Sequence, residues 1–235
     1  MKPSASTICI LSADAPKSGL RRLAEEFSLA TGIDHEIELL TAPKIKVRVL
    51  SGEANAYLII IPREQFDELI AAGHVASNDL AVLGHVTVGV AVRNGARDPD
   101  LTSVDSFVRS VLAADRVIYN TASSGLYVAS VFERLGLTDA IRAKSTILPT
   151  GKATMETLAA DESGVAICFG HATEIRLHDG LGTHYAGPLP GNIGRRTPYA
   201  AGPLLRMPRL DVARRFIAHL TSSEGKKVFA ETGVT

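Results

Sequence analysis

The sequence has no tryptophan, only 5% aromatic residues, and two cysteines, Cys9 and Cys168, in 235 residues. Both cysteines sit inside apolar, strand-like runs, so they read as buried free thiols rather than a disulfide framework. No C-x-x-C is present, and His35, His74, His85, His171, His178, His184 and His219 show no metal-ligand spacing, so neither a metal nor a cofactor is expected. Net charge is missing too: 25 basic side chains balance 25 acidic ones, which argues against a nucleic-acid partner. No apolar run approaches the ~20 residues needed to cross a bilayer, so no direct membrane insertion is expected. The opening stretch from Met1 to Thr7 lacks the apolar core of a secretory leader. The expected location is therefore the periplasm if a leader has been removed and the cytoplasm otherwise. Repeats and low-complexity segments are also absent.

What remains is an ordinary globular composition, 46% hydrophobic, long enough for one large domain or two small ones. The stretch 117–136 sets the pattern. Val117 to Tyr119 reads as a buried strand, Asn120 to Gly125 as a polar turn of small residues. Leu126, Ala129, Val131, Phe132 and Leu135 then recur at helical spacing, and Gly136 stops the helix. A helix start offers backbone N–H groups without intrahelical partners and positive potential from the dipole. Ser123 and Ser124 add hydroxyls, and Gly125 permits close approach to the backbone. Such a turn suits a carboxylate or oxyanion, and equally a plain helix cap.

The same order of strand, turn and helix recurs along the chain. Thr7–Leu11 is a strand without a polar face; Leu20, Leu23, Ala24 and Phe27 mark the helix after it. His35–Leu40, Tyr57–Pro62, Ala143–Leu148 and Gly164–Phe169 read as further strands. Leu80–Val92 is a long β stretch, expected to break near Gly84. His184–Gly202, rich in Gly and Pro, reads as a return crossing. Ala213, Phe216, Ile217 and Leu220 line an amphipathic helix, and Ser222 caps a last one. Alternating strands and helices imply an α/β fold with mostly parallel sheets. Ligands of such sheets collect beyond the strands' carboxyl ends. The turns found there contain Ser12 to Lys17, Thr41 to Lys44, Thr121 to Gly125, Gly151 to Thr154 and His171 to Glu174. They are rich in hydroxyls, glycines and lysines, which suits a small, multiply charged anion.

Residue by residue, Lys17, Lys44 and Lys152 can pair with ligand carboxylates or point to solvent. Thr41 and Thr154 can donate hydroxyl hydrogen bonds or serve as caps. His171 follows a strand, where a binding side chain would stand. Arg195 and Arg196, in the return crossing, can bind an anion or form a solvent-facing pair.

Across nearly its whole length the chain resembles the type II periplasmic solute-binding proteins, in the branch that includes molybdate-binding proteins. The resemblance is carried by Ser51-Gly-Glu-Ala-Asn-Ala-Tyr57, the Ser-Gly-Leu-Tyr start at Ser124, the block from Lys152 to Glu174, and Ala213 to Gly233. It implies a two-lobed fold, each lobe a mostly parallel sheet flanked by helices, with two crossing strands as a hinge and ligand in the interlobe cleft. Lobe I would take residues 1–83 and 199–235, lobe II residues 84–198. It implies a monomer that binds a small anionic ligand at Ser12, Lys17, Thr41, Lys44, Ser123, Ser124, Gly125, Lys152, Thr154 and His171. The partner it implies is an ABC-type transporter membrane subunit. Four positions depart from the molybdate pattern: Ala15 and Ala42 stand where serines would, His171 for a tyrosine, and Ala56 for an acid. These departures turn the expectation toward a di- or tricarboxylate, with molybdate or tungstate as an alternative. The first turn is similar to a neighbouring branch that includes aconitate isomerase. If the chain is an enzyme of that kind, His171 or Glu174 is the expected base for allylic proton transfer.

Overall fold

The structure is a computed structural model that describes residues 7–162 and 164–235. The leader expectation, which rests on residues 1–6, lies outside them. In chain order the elements are β1 (Thr7–Ser12), α1 (Lys17–Thr31), β2 (Asp34–Leu39), α2 (Ala42–Leu50), β3 (Leu58–Pro62), α3 (Phe66–Ala71), β4 (Ala81–Arg93) and α4 (Val104–Ala113). There follow β5 (Arg116–Asn120), α5 (Ser123–Arg134), α6 (Thr138–Ile141), β6 (Ser145–Leu148), α7 (Gly151–Ala159) and β7 (Ala166–His171). The chain ends with α8 (Ala172–Leu177), β8 (Thr183–Pro188), β9 (Arg196–Pro203), α9 (Leu210–Leu220) and α10 (Ser223–Glu231). The contacts divide it into two compact units, Met1–Val86 with Thr197–Thr235, and Thr87–Arg196. Both divisions fall inside strands, β4 and β9.

In the first unit β1 pairs in parallel with β2 on one side and β3 on the other, and β9 runs antiparallel to β3. Every residue of β1 and β3 is buried, whereas β2 alternates exposed and half-buried positions. That is the pattern of central strands covered on both faces and of an edge strand with one wet face. Helix α1 buries Leu20, Leu23, Ala24 and Phe27, one stripe at helical spacing, and ends on Gly32 at φ 68°. Phe27 meets Phe216 of α9 edge-on, with ring centroids 5.1 Å apart. Gly19 lies against α10: a Cβ there would stand 2.7 Å from Phe229 Cδ1.

In the second unit β5 lies between β6 and β7, parallel to both. β4 pairs antiparallel with β7 and with β8. Phe107, Phe132 and Phe169 form an edge-to-face chain at the centre of this core, with centroids 6.0 and 5.4 Å apart.

Several sequence expectations need correction. β4 does not break at Gly84, which adopts φ +150° inside the continuous strand with Val234 packed where a side chain would go. The stretch 184–202, read as a return crossing, holds two strands, β8 and β9, joined through a short 3-10 turn at Gly191–Ile193, and the boundary between the two units falls in β9. Strand β6 starts only at Ser145, because Arg142–Lys144 form a 3-10 turn. Leu126 is not a core position. It is exposed, and Val128 takes its place on the buried stripe of α5.

Candidate functional site

The parallel trio β6, β5 and β7 brings three carboxyl ends, Leu148, Asn120 and His171, to one edge of the second unit. Helices α7, α5 and α8 all start from that edge, at Gly151, Ser123 and Ala172. Their first-turn N–H groups and positive dipole ends therefore face the same side.

At α5 the cap comes from the strand. The Asn120 side-chain oxygen accepts the Ala122 N–H at 2.9 Å and the Gly125 N–H at 3.2 Å. Among the described residues the Ser123 and Ser124 N–H groups meet no acceptor, and the Ser123 hydroxyl has no partner. The Ser124 hydroxyl is buried and lies 3.4 to 3.5 Å from the Asn120 amide. Gly125 is required by the protein itself: a Cβ would fall 1.7 Å from the Asn120 carbonyl oxygen. The close approach read from the sequence is thus made by Asn120, and the Gly125 N–H is already taken.

At α7 the cap is Thr150, whose hydroxyl accepts the Ala153 N–H at 3.1 Å. Thr154 lies one turn further on, fully buried, and donates to the Gly151 carbonyl at 2.6 Å. Lys152 projects outward and pairs with Glu156 at 2.6 Å. His171 is the N-cap residue of α8 and is half-buried. The Glu174 side chain passes over Gly151, where a Cβ would stand 2.9 Å from its Cγ. His178 Nδ1 lies 2.9 Å from the Glu174 carbonyl, which makes it the donor, and 3.8 Å from the carboxylate. Behind this edge Cys168 is buried beside Thr154, and burial pushes its thiol up to about 12.

The first unit repeats the arrangement. β2, β1 and β3 end at Leu39, Ser12 and Pro62, with α2 and α1 starting just beyond. Ser12 is fully buried and its hydroxyl donates to the Ala13 carbonyl at 2.8 Å. Lys17, largely covered, pairs with Asp14 at 2.9 Å. Thr41 is the N-cap residue of α2, exposed, without a side-chain cap bond, and Lys44 is exposed one turn on. Ala15 is half-buried, Ala42 and Ala56 buried.

The structure thus brings Ser123, Ser124, Gly125, Lys152, Thr154, His171 and Glu174 to one edge of one unit, and Ser12, Lys17, Thr41 and Lys44 to the matching edge of the other. Of these, Ser12 and Thr154 spend their hydroxyl protons on neighbouring carbonyls. Sequence reasoning missed Asn120 and Thr150. An Asn closing a strand before a small-residue turn, and Thr-Gly before a helical run, were the available signals. Among the described residues no group of three or more His, Cys, Asp or Glu is placed to hold a metal, and no helix is long and apolar enough to cross a membrane.

A curated aconitate isomerase from a Pseudomonas species is 24% identical over 97% of this chain and 87% of its own length. Among solved structures, a substrate-binding domain assigned to a molybdenum ABC transporter of Clostridium difficile superposes with a TM-score of 0.77 at 15% identity, covering 97% of both chains. The Azotobacter vinelandii periplasmic molybdate-binding protein gives 0.71 at 14% identity, over 97% of this chain and 98% of that one. The sulfate-binding protein SubI of Mycobacterium tuberculosis gives 0.68 at 16%, over 97% and 86%. At these identities the structures establish the fold, that of the type II periplasmic binding proteins. The sequence profile of one family, the bacterial extracellular solute-binding proteins, matches residues 8–235, and the chain belongs to that family.

Proposed function

We propose that this solute-binding protein captures a small organic anion, a di- or tricarboxylate, and hands it to an ABC-type transporter. The observation that carries the reading is the start of α5, where two N–H groups and the Ser123 hydroxyl are unclaimed among the described residues. A carboxylate takes up such donors with charge-assisted hydrogen bonds, each contributing about 1.5–3 kcal/mol. The Lys17 and Thr41–Lys44 turns of the first unit are the second source of donors in this reading. Where the family resemblance puts molybdate-binding serines, this chain has Ala15 and Ala42, while Lys17 and Lys44 supply positive charge nearby in sequence. That exchange favours carboxylates over a tetrahedral oxyanion. The two lobes expected from the sequence, with β4 and β9 as the hinge, belong to the same proposal, as do export and a transporter partner.

A second reading is supported by the aconitate isomerase relative. Here the chain moves a proton along an allylic tricarboxylate. The donors at α5 hold a carboxylate, and His171 or Glu174, on α8's first turn, takes the proton.

One sample separates the two. A proton NMR time course with cis-aconitate and catalytic protein is followed by calorimetry against tricarboxylates, dicarboxylates and molybdate. The carrier reading expects tight binding of a carboxylate and no turnover. Formation of the trans isomer, absent from a boiled control, would establish the enzyme. Binding of molybdate alone would replace both with an oxyanion carrier.

A further inference from the structure

We propose that the first unit carries a second, smaller anion site that takes a short-chain monocarboxylate. It is a cavity of about 110 Å3 walled by Val49, Ala54, Leu204 and Met207, with His74 and Arg206 as its polar members. Its position excludes the site already described. Ala54 lies ahead of the first residue of β3, and Leu204 follows Pro203 of β9, which pairs with Leu58. The cavity therefore opens at the amino end of β3, and the strand's five residues, about 17 Å of chain, separate it from the edge where α1 and α2 begin.

His74 is 8% exposed. Its main chain is pinned from both sides: its N–H donates to Leu69 at 2.9 Å and its carbonyl accepts from Leu205 at 3.0 Å. The ring nitrogens have no hydrogen-bond partner among the described residues, and neither has the Arg206 guanidinium. Arg206 extends over Gly52, where a Cβ would stand 3.8 Å from its Nη1. Among the described residues no carboxylate lines the cavity. The ring nitrogens are not sealed from solvent, so they can meet the oxygens of a ligand, and a guanidinium lining the same cavity adds the opposite charge to an acid. A carboxylate satisfies both, and the apolar walls favour a short alkyl tail over a hydrated inorganic ion. The volume limits the occupant to a few heavy atoms.

The probe is propionate, titrated into the isotope-labelled full chain and followed by NMR. The expected result is saturable movement of the His74 ring signals and of the Gly52, Ala54 and Leu205 amides, with propionamide inert. Arg206→Gln, an exposed change that leaves the fold intact, should weaken binding about tenfold, and His74→Gln should do the same. Carboxylate binding at the α5 turn should be unchanged in both variants. Three results would overturn the site: no movement at His74 in the millimolar range, equal movement with propionamide, or shifts confined to Ser123 and Ser124.

Discussion

The Asn120 carbonyl and Gly125 share a space that admits no side chain: a Cβ on Gly125 would fall 1.7 Å from the Asn120 carbonyl oxygen. The Asn120 amide meanwhile closes the turn by accepting the Ala122 and Gly125 N–H groups. One residue thus ends β5 and caps α5, and the donors at Ser123 and Ser124, unclaimed among the described residues, stand on a hydrogen-bonded, closely packed corner.

Two substitutions test that corner. Gly125→Ala must push the helix off the strand, and backbone leaves nothing to yield, so a loss of about 3 kcal/mol or more is expected. Asn120→Ala removes a buried cap and should cost about 1–2 kcal/mol. Urea unfolding measures both. A Gly125→Ala protein as stable as the parent would mean the turn is not built as described.

The two serines should behave differently. Ser123 is exposed and its hydroxyl has no partner among the described residues, whereas Ser124 is buried against Asn120 at 3.4 Å. Ser123→Ala should weaken binding of the carboxylate ligand about tenfold with little change in stability. Ser124→Ala should keep most of the affinity, because its N–H remains. Calorimetry on the two variants decides; equal losses would argue that both hydroxyls reach the ligand.

How much of this was legible in the sequence depended on whether the signal was local. β1, β3 and α1 announced themselves because uniform apolar runs and a helical stripe are local patterns. β8 did not: Thr183–Pro188 mixes His, Tyr, Gly and Pro, and it is a strand because β4 supplies its partner. The same holds at the site. Ser123 and Ser124 were visible as small polar residues before a helix, but that Asn120 claims the Gly125 N–H is a matter of strand-to-helix geometry. Lys17 read as a ligand cation or a solvent-facing residue, and the structure shows its bond to Asp14, three residues back. Lone residue types cannot reveal such local pairings.

Cys168 predicts an alkaline limit. Burial raises its thiol from 9.0 to about 12, outweighing the smaller lowering influence of the polar groups of Thr154 and the Phe169 backbone. The unfolded chain releases this proton near the ordinary value while the folded chain holds it. The stabilising effect is complete below about 9 and is lost as pH rises toward about 12, by up to about 1.4 kcal/mol per pH unit. Melting temperatures should fall over that window, and Cys168→Ala should flatten the slope. The same burial predicts that iodoacetamide at pH 8 labels Cys168 only after unfolding. Rapid labelling of the native protein at this residue would contradict the buried placement.

The last prediction concerns Glu174, whose side chain crosses the first residue of α7. Gly151→Ala would put a methyl group 2.9 Å from the Glu174 Cγ, and the glutamate must rotate about its χ1 and χ2 bonds to give way. The fold should therefore survive with a loss of about 1 kcal/mol, while the carboxylate moves off its seat. A carrier that uses only the α5 donors would bind its ligand nearly as before. An isomerase that uses Glu174 as its base would lose kcat and keep KM, since the ligand's anchors are untouched and only the proton acceptor has moved. Glu174→Gln sharpens the comparison by keeping the shape and removing the base. If cis-aconitate is turned over and neither change affects the rate, Glu174 is not the base, and His171, at the other end of the same short turn, becomes the residue to replace.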